Sequence, residues 1–422
     1  METCDLLVIG LGTAGAAAAA LGARAGLKVI GLDARPLDEA GARWVNALPR
    51  WTFAAAGFAA PEPPELVAQD TPFHLIAGWE ARARVVIRAH SLLEVDMRAL
   101  VARLQRDAVA AGADLRGGVR ARGRDGDVVH TDQGPITARV IADASGLAGA
   151  ALGPRPAVPP TDLCAAAQEV RVLRDPQAAE QWFRARGSAL GETLCFTGVA
   201  GGYSIVSVTV HQGEVSLLTG AIPALGQPAG KVLLERFAAD QPWVGERIYG
   251  GSRAIPLAPP PSRLDHGPLA LLGDAGNQVF AVHGSGIAAG MLAARCLVDA
   301  LVAGGGPAEY NHRWQRTYGG LYAGANLFAR FSRSISPDDL VRLMNSGLVG
   351  QGTTRDGLEQ RQPTPDLGDI PGLITGVFRA PGPLWRLLPV LIRMQALRLH
   401  YLTYPRDPAA LPAWEARLAR LL

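Results

Sequence analysis

The first 33 residues restrict the fold more than any other part of the chain. A short apolar run, 6–9, is followed by a Gly-x-Gly-x-x-Gly turn at Gly10, Gly12 and Gly15 and then by an alanine-rich stretch. This order predicts a buried parallel strand, a tight turn and a helix. A second apolar run ends at Asp33, 18 residues after Gly15. A Rossmann-type nucleotide fold places an acidic residue at about this distance from its glycine turn.

Each of these residue types has a physical role in such a fold. Gly10 permits the tight turn, Gly12 lets a pyrophosphate approach the backbone, and Gly15 lets the helix pack close to the strand. The helix that follows directs its positive end at the anion. A carboxylate at Asp33 is suited to accept hydrogen bonds from the ribose hydroxyls of adenosine.

Composition restricts the class of protein. The chain has 422 residues, 48% of them hydrophobic, and a net charge of +3. It can bury a large core as two or three subdomains, and nothing in its charge favours a nucleic-acid partner. Its four cysteines show no C-x-x-C spacing, so neither a metal site nor a disulfide framework is predicted. The first strand starts within about five residues of the N-terminus, which leaves no room for a signal peptide and predicts a cytoplasmic protein.

One segment near the C-terminus combines apolar residues and arginines at helical spacing. It runs over 384–402 and contains no stretch of about 18 uncharged apolar residues, so a membrane span is not predicted. Two interpretations stay open: a helix packed on the body of the protein, or a peripheral surface that meets lipid, meets a carrier or guards an apolar tunnel.

The remaining chain alternates between two kinds of pattern. Helix and short-strand patterns occupy 84–155, an alternating β-rich pattern occupies 170–222, and an apolar strand then leads into a second glycine-rich region, 273–287. The proline-rich connector 254–262 is predicted to hold neither a central strand nor a helix. We therefore predict an α/β protein with three parts: a discontinuous Rossmann-like nucleotide-binding domain (1–45, 84–155 and 255–330), an inserted β-sheet substrate domain (46–83 and 156–254) and a helical C-terminal region (331–422).

Several motifs within residues 1–330 together resemble one flavoprotein superfamily. After the N-terminal glycine turn, they are Val95-Asp-Met-Arg98-Ala-Leu100, Ile141-Ala-Asp-Ala-Ser-Gly146, Ala254-Ile-Pro256, Leu272-Gly-Asp274-Ala and Gly284-Ser-Gly286-Ile287. Their order is similar to that of aromatic hydroxylases, flavin-dependent halogenases and geranylgeranyl reductases. The Ala-Ile-Pro connector, the Gly-Asp-Ala loop and the later stretch 310–319 most resemble the geranylgeranyl-reductase-like branch.

The resemblance implies that the cofactor is an extended FAD. Asp33 would contact the adenosine ribose, and Asp274 would contact the ribityl or pyrophosphate region. Arg98 or a neighbour would contact the ribityl or phosphate groups. The helix that starts near Gly284 would direct its positive end at the flavin N1 edge, where a reduced flavin is negatively charged. The predicted cofactor-binding residues are Gly10, Gly12, Thr13, Ala14, Gly15, Asp33, Ala34, Arg43, Arg98, Val119, Gly146, Asp274, Gly284, Gly286 and Ile287.

The chain also departs from the reductase pattern. Geranylgeranyl reductases usually carry a cysteine after the second strand's loop, where this chain has Asn46, and a Tyr-x-Trp-x-Phe-Pro strand, of which only Tyr203 remains. His283 and Tyr203 are candidate proton donors, and Asn46 and Arg43 are candidates to orient substrate or flavin. Each has a structural alternative: a backbone hydrogen bond for His283, sheet packing for Tyr203 and ordinary loop polarity for Asn46. The rings between 44 and 79 form either a subdomain core or part of a bulky apolar pocket.

These features predict an FAD-dependent oxidoreductase that acts on a bulky, mainly apolar substrate. The preferred reaction is hydride transfer between flavin N5 and an activated C=C bond; the alternative is a monooxygenase that works through a C4a-peroxyflavin. A halogenase is disfavoured because neither Lys28 nor Lys231 lies in a suitable motif, and a non-catalytic flavin-binding protein is disfavoured because the binding glycines are retained. No second nucleotide fingerprint follows another strand, so the electrons must come from transiently bound NAD(P)H, from a partner reductase or from the substrate itself.

Overall fold

A computed structural model describes residues 1–362 and 381–422. Its strands are β1 Glu2–Ile9, β2 Val29–Asp33, β3 Val45–Pro49, β4 Leu66–Gln69, β5 Phe73–Ala77, β6 Arg84–Ile87, β7 Leu92–Asp96, β8 Asp114–Gly117, β9 Ala121–Asp125, β10 Val128–Thr131, β11 Gly134–Asp143, β12 Leu163–Leu173, β13 Thr193–Thr197, β14 Ile205–His211, β15 Glu214–Ala221, β16 Val244–Pro256, β17 Asp265–His266 and β18 Leu269–Leu271. Its helices are α1 Thr13–Arg24, α2 Trp51–Ala56, α3 Met97–Ala110, α4 Pro176–Arg184, α5 Gly230–Asp240, α6 Ile287–Val302, α7 Pro307–Trp314, α8 Gly320–Ser334, α9 Pro337–Asn345, α10 Gln351–Leu358, α11 Pro381–Tyr401 and α12 Leu411–Leu421.

The nucleotide-type sheet is built on β1. Five strands lie parallel in the order β8-β2-β1-β11-β18, and β17 extends the edge as an antiparallel strand. Leu6, Leu7 and Val8 are completely buried at its centre. A parallel strand covered on both faces needs such a continuous apolar run. Helix α1 packs against both α3 and α6, so the two glycine-rich regions of the sequence meet on this sheet.

The second sheet carries seven strands in the order β16-β12-β15-β14-β13-β5-β6. Alternate residues of β14 point to opposite faces. Val206, Val208 and Val210 pack with α4 and α5 in a separate core that contains Phe183 and Trp243. The residues between them face the nucleotide-type sheet. This two-faced pattern is the one expected of an antiparallel sheet with a different environment on each side.

The observed elements confirm the predicted fold class and refine its details. The prediction that the connector 254–262 holds no central strand is consistent with the structure, but β16 continues to Pro256 as the edge of its sheet. An edge position tolerates proline because no neighbouring strand needs its missing N–H. Strand β6 pairs with β5 in the second sheet, although the predicted division gave its residues to the nucleotide domain. A small third sheet has the strand order β3-β7-β4.

Helices α9 to α12 lie in the segment predicted to be a helical C-terminal region, 331–422, whereas α7 and most of α8 precede it. A π-helical turn at Gln315–Gly319 joins α7 to α8, and α11 packs along α8. Glycines allow this close contact, because a Cβ at Gly319 would lie 2.4 Å from the ring of Tyr401. Among residues 1–362 and 381–422, no helix is long and apolar enough to cross a membrane.

Candidate active site

A cavity of about 1270 Å³ lies between the two large sheets. It begins at the glycine turn after β1 and continues along the inner face of the second sheet to Thr193 and Thr209. Typical ligand pockets measure about 300–1,000 Å³. The cavity is therefore large enough for a dinucleotide with a further ligand beside it.

The glycine turn leaves space that side chains would fill. Gly10 has a φ of 91°, and a Cβ there would lie 2.5 Å from the carbonyl oxygen of Ala144. A Cβ at Gly15 would lie 1.8 Å from the Gly10 carbonyl oxygen, so only glycine lets α1 start this close to β1. Gly12 is the N-cap of α1, and no side chain caps the helix. The first N–H groups of α1 are thereby available to a phosphate in the cavity.

Asp33 marks the adenosine end of this cradle. Its Oδ2 accepts a hydrogen bond from the Leu11 N–H at 2.8 Å, and its Oδ1 accepts one from the Arg35 N–H at 2.9 Å. Each carboxylate oxygen has a second lone pair for a ribose hydroxyl. These backbone bonds hold the carboxylate in place at the end of β2, which is the geometry that the spacing predicts.

A second helix N-terminus meets the cavity at the late glycine-rich region. Helix α6 begins after Gly286, again without a side-chain cap, and Gly284 and Ile287 line the cavity beside it. A Cβ at Gly286 would lie 2.8 Å from Oδ1 of Asp274. Burial raises the pKa of Asp274, and the charge of Arg253 opposes that rise. The positive end of α6 can therefore stabilise negative charge on a group held between Asp274 and the second sheet.

The cationic residues of the cavity are not the ones predicted. Arg43 donates to the Asp38 carbonyl at the surface, and Arg98 is paired with Asp96 and lies over the ring of Tyr249; neither lines the cavity. The structure therefore does not bring either arginine to the cavity, because an acceptor within five residues of each one in the sequence engages its guanidinium.

Arg35 and Arg253 line the cavity instead. Burial and the nearby charge of Arg35 lower the pKa of Arg253, whose guanidinium also hydrogen-bonds to the Gly41 carbonyl. The position of Arg35 just after Asp33 was a usable signal in the sequence. Arg253 lies on β16 directly before the Ala254-Ile-Pro256 motif, but that motif gives it no role, and only the packing of the two sheets shows that it lines the cavity.

His283 lies on the loop before α6 and faces the cavity. Its ring packs 5.1 Å from that of Phe280, and no described residue is a hydrogen-bond partner of its buried Nε2. Burial lowers the pKa of His283 to about 4 despite hydrogen bonding to the backbone of His283 itself and of Gly357. The imidazole is therefore neutral at pH 7 and is a weak proton donor in the free protein.

Tyr203 lies opposite this loop. Its hydroxyl donates to the Ala281 carbonyl at 2.9 Å, and burial raises the pKa of Tyr203 well above its usual value. The proton of Tyr203 is thus used to hold the 281–286 loop against the second sheet. Its hydroxyl would lie 3.3 Å from a Cβ at Gly284, so it also limits which residues the loop accepts.

The rings between residues 44 and 79 divide between the cavity wall and the cores. Of these rings, Trp44 and Phe73 line the cavity, Phe53 and Phe58 are buried in the core, and Trp79 stacks against the second core. Two thiols also line it, and burial raises the pKa of Cys164 to about 11 and that of Cys195 to about 12. Both remain protonated at neutral pH.

The structure thus brings most of the predicted site residues to one cavity. Those that line it are Gly10, Gly12, Thr13, Ala14, Asp33, Ala34, Asn46, Val119, Gly146, Tyr203, Asp274, His283, Gly284, Gly286 and Ile287. Gly15 is buried directly beneath the turn. The cavity supplies anion-binding helix ends, a ribose-binding carboxylate and an acidic loop, and this set of groups fits an extended FAD.

No family model matches the chain. Two proteins that share the same name are similar to it in sequence. It is 26% identical over 377 residues to the digeranylgeranylglycerophospholipid reductase of Methanothrix thermoacetophila. This alignment covers 81% of this chain and 91% of that protein. It is 24% identical over 200 residues to the protein of the same name from Sulfolobus acidocaldarius. That second alignment spans 46% of this chain and 44% of the relative.

Solved structures share the fold. A geranylgeranyl bacteriochlorophyll reductase-like protein from Thermoplasma acidophilum superposes with a TM-score of 0.72 at 17% identity, over 92% of this chain and 100% of that one. A probable FAD-dependent monooxygenase from Pseudomonas aeruginosa superposes with a TM-score of 0.57, also at 17% identity, over 79% of this chain and 97% of that one.

Fold, cavity and relatives together define an FAD-dependent oxidoreductase. Within that class, the reductase-named relatives confirm the resemblance to geranylgeranyl-reductase-like flavoproteins that the motifs indicate.

Proposed function

We propose that this chain reduces an activated C=C bond of a bulky, mostly apolar substrate. The observation that carries the proposal is the continuity of the cavity, which joins the FAD cradle to a pocket along the second sheet without an intervening wall of side chains. The names of the two sequence relatives support a reductive reaction. Bound FAD, in its reduced form, supplies the hydride, and NAD(P)H or a partner reductase would restore it.

The residues of the chain have separable roles in this proposal. The N-terminus of α6 and the backbone near Gly286 stabilise the negative charge that accumulates at the flavin end. Tyr203 positions the 281–286 loop through its bond to Ala281. Asn46, on β3, lines the cavity and is assigned to orienting the group that activates the double bond. One substrate carbon receives the hydride and its neighbour receives a proton.

His283 is the candidate to relay that proton. Its neutral ring lines the cavity at the flavin end, and its Nε2 has no hydrogen-bond partner among the described residues. Because a pKa of about 4 makes the imidazolium scarce at pH 7, the relay would require water or a change of environment when substrate binds.

A single anaerobic experiment tests the reaction. The FAD-loaded protein is reduced with dithionite, freed of excess reductant and mixed with a polyene such as geranylgeraniol. Reoxidation of the flavin with a product heavier by two hydrogens supports reduction of a C=C bond. No anaerobic reoxidation, combined with incorporation of oxygen from ¹⁸O₂ in air, contradicts it and favours the monooxygenase alternative. The Gly10→Ala variant, which should not hold FAD, is the matched control.

We further propose that α11 contacts an anionic lipid surface. Trp385, Ile392 and Leu399 are 71%, 60% and 65% exposed and recur at helical spacing on one side, while Leu387 and Leu397 pack inward. Residues 381–401 contain three arginines and no acidic residue. Apolar residues in line with cationic ones are typical of helices that lie in the interface of an anionic membrane.

Vesicle sedimentation tests this surface. The protein should sediment with vesicles that contain phosphatidylserine more than with phosphatidylcholine alone, and Ile392→Glu should reduce that binding. Val302→Glu is the matched control, since Val302 is 63% exposed at the end of α6, away from α11. Equal sedimentation of both variants and the wild type would contradict the proposal.

A further inference from the structure

The far end of the cavity is polar, although a bulky apolar substrate was expected. Side chains that alternate along β13, β14 and β15 place hydroxyl groups on its wall: Thr193, Ser207, Thr209 and Ser216. Inward-facing residues on the other side of this sheet are valines and aromatic rings. The hydroxyl groups are therefore confined to the face that a ligand would contact.

Glu94 lies among these hydroxyl groups. It reaches the wall from β7, and its side chain is 15% exposed to the cavity. Its Oε1 accepts a hydrogen bond from Thr193 Oγ1 at 3.3 Å, and Thr193 in turn accepts one from Thr209 at 2.9 Å. Its Oε2 lies 3.3 Å from Nε2 of His211. The carboxylate is thus fixed in position by the sheet.

This end of the cavity is distant from the flavin end. Ile205 begins β14 next to Tyr203, and Thr209 follows four residues later. A strand advances about 3.3 Å per residue, so roughly 13 Å separate these two positions along the sheet. A ligand that reaches both the 281–286 loop and Glu94 must be elongated.

The charge balance at Glu94 selects the chemistry of that ligand. A carboxylate has about four acceptor sites, and the neighbouring groups use only part of them. Within the described part of the chain, Glu94 forms no ion pair with lysine or arginine, and its ion-pair partner is His211. A largely buried carboxylate that no lysine or arginine pairs with attracts hydrogen-bond donors and repels carboxylates and phosphates.

We propose that Glu94 recognises a hydroxyl or ammonium group at the end of the substrate remote from the reacting double bond, and that it discriminates against substrates with an anionic end. This inference rests on the proposed reduction of a bulky substrate, and it adds the polarity of that substrate. Thr193 and Thr209 are positioning residues that hold the carboxylate toward the cavity.

Four ligands with one C20 polyene chain separate the possibilities: geranylgeraniol, geranylgeranylamine, geranylgeranyl methyl ether and geranylgeranyl phosphate. Binding to the oxidised holoenzyme is measured by the change in flavin absorbance, which requires no turnover. The alcohol and the amine should each bind at least about tenfold more tightly than the ether and the phosphate. If the Glu94→Gln substitution weakens binding of the amine more than binding of the alcohol, the preferred donor is an ammonium group.

The informative variant is Glu94→Gln, which keeps the size of the side chain and removes its charge. It should weaken binding of the amine roughly tenfold or more, weaken the alcohol several-fold and improve binding of the phosphate. Glu214→Gln is the matched control, because Glu214 is an exposed residue on β15 that does not line the cavity.

The outcomes separate this inference from the proposed reaction. Tightest binding of the phosphate, or a Glu94→Gln variant with the wild-type order of affinities, overturns the role of Glu94 even if reduction occurs. Binding of the alcohol that depends on Glu94 but leads to no anaerobic reoxidation supports the site and overturns the proposed reaction. Failure of all four ligands to bind overturns both.

Discussion

Replacement of His283 by glutamine should change how the stability of the apoprotein depends on pH. Burial lowers the pKa of His283 from 6.5 to about 4, so the unfolded chain binds a proton more readily than the folded chain. The stability that comes from the neutral ring is complete above pH 6.5 and is lost as the pH falls toward 4. A shift of about 2.5 units corresponds to about 3 kcal/mol over the whole range, and about 2 kcal/mol of it is lost between pH 7 and pH 5.

Urea unfolding followed by tryptophan fluorescence measures this loss. Between pH 7 and pH 5, the free energy of unfolding of the wild type should fall by about 2 kcal/mol more than that of His283→Gln. Other titrating groups contribute equally to both proteins and cancel in the comparison. His130→Gln serves as the control, because His130 is half exposed on a distant hairpin and should leave the wild-type difference unchanged. Equal pH dependence in His283→Gln and the wild type would refute the assignment of a buried neutral imidazole.

Three further predictions concern single residues. Gly10→Ala should abolish copurification of FAD, since its Cβ would lie 2.5 Å from the Ala144 carbonyl oxygen; the ratio of flavin to protein absorbance measures this, and a normal ratio would contradict the cradle. Tyr203→Phe should lower the unfolding free energy by about 1–3 kcal/mol in denaturant titration, because it leaves the Ala281 carbonyl without its donor, while unchanged stability would show that the bond contributes little. Iodoacetamide should modify Cys195 far more slowly in the native protein than in urea, because burial raises the pKa of this thiol to about 12. Mass spectrometry measures the extent of labelling. Rapid labelling of the native protein would contradict the burial of Cys195.

Local patterns predicted the nucleotide half of the fold well. The apolar run before Gly10 and the helix after it appear in the structure as β1 and α1, because a buried parallel strand and a glycine turn leave few alternatives. The acid at the end of β2 was equally predictable, since its distance from the turn is fixed by one helix and one strand.

The contacts between the two sheets could not be predicted in this way. Arg253 enters the cavity from an edge strand beside the Ala254-Ile-Pro256 motif, which gave it no role, and Glu94 enters from β7 just before the Val95-Asp-Met-Arg98 motif, which indicated Arg98 instead. In both cases the side chain acquires its role from the packing of distant segments. Arg43 and Arg98 do not line the cavity for the opposite reason, because an acceptor nearby in sequence, such as Asp96 for Arg98, engages the guanidinium.

The order in which segments contribute to the cavity has a consequence for biosynthesis. The cradle begins at Ile9, but its parallel sheet is completed by β18 at 269–271, and Leu358 lines the same cavity. One edge of β11 must therefore stay unpaired until β18 is made, more than 120 residues later. The cavity is thus complete only after residues up to Leu358 have been made, so cofactor loading belongs to a late stage of folding.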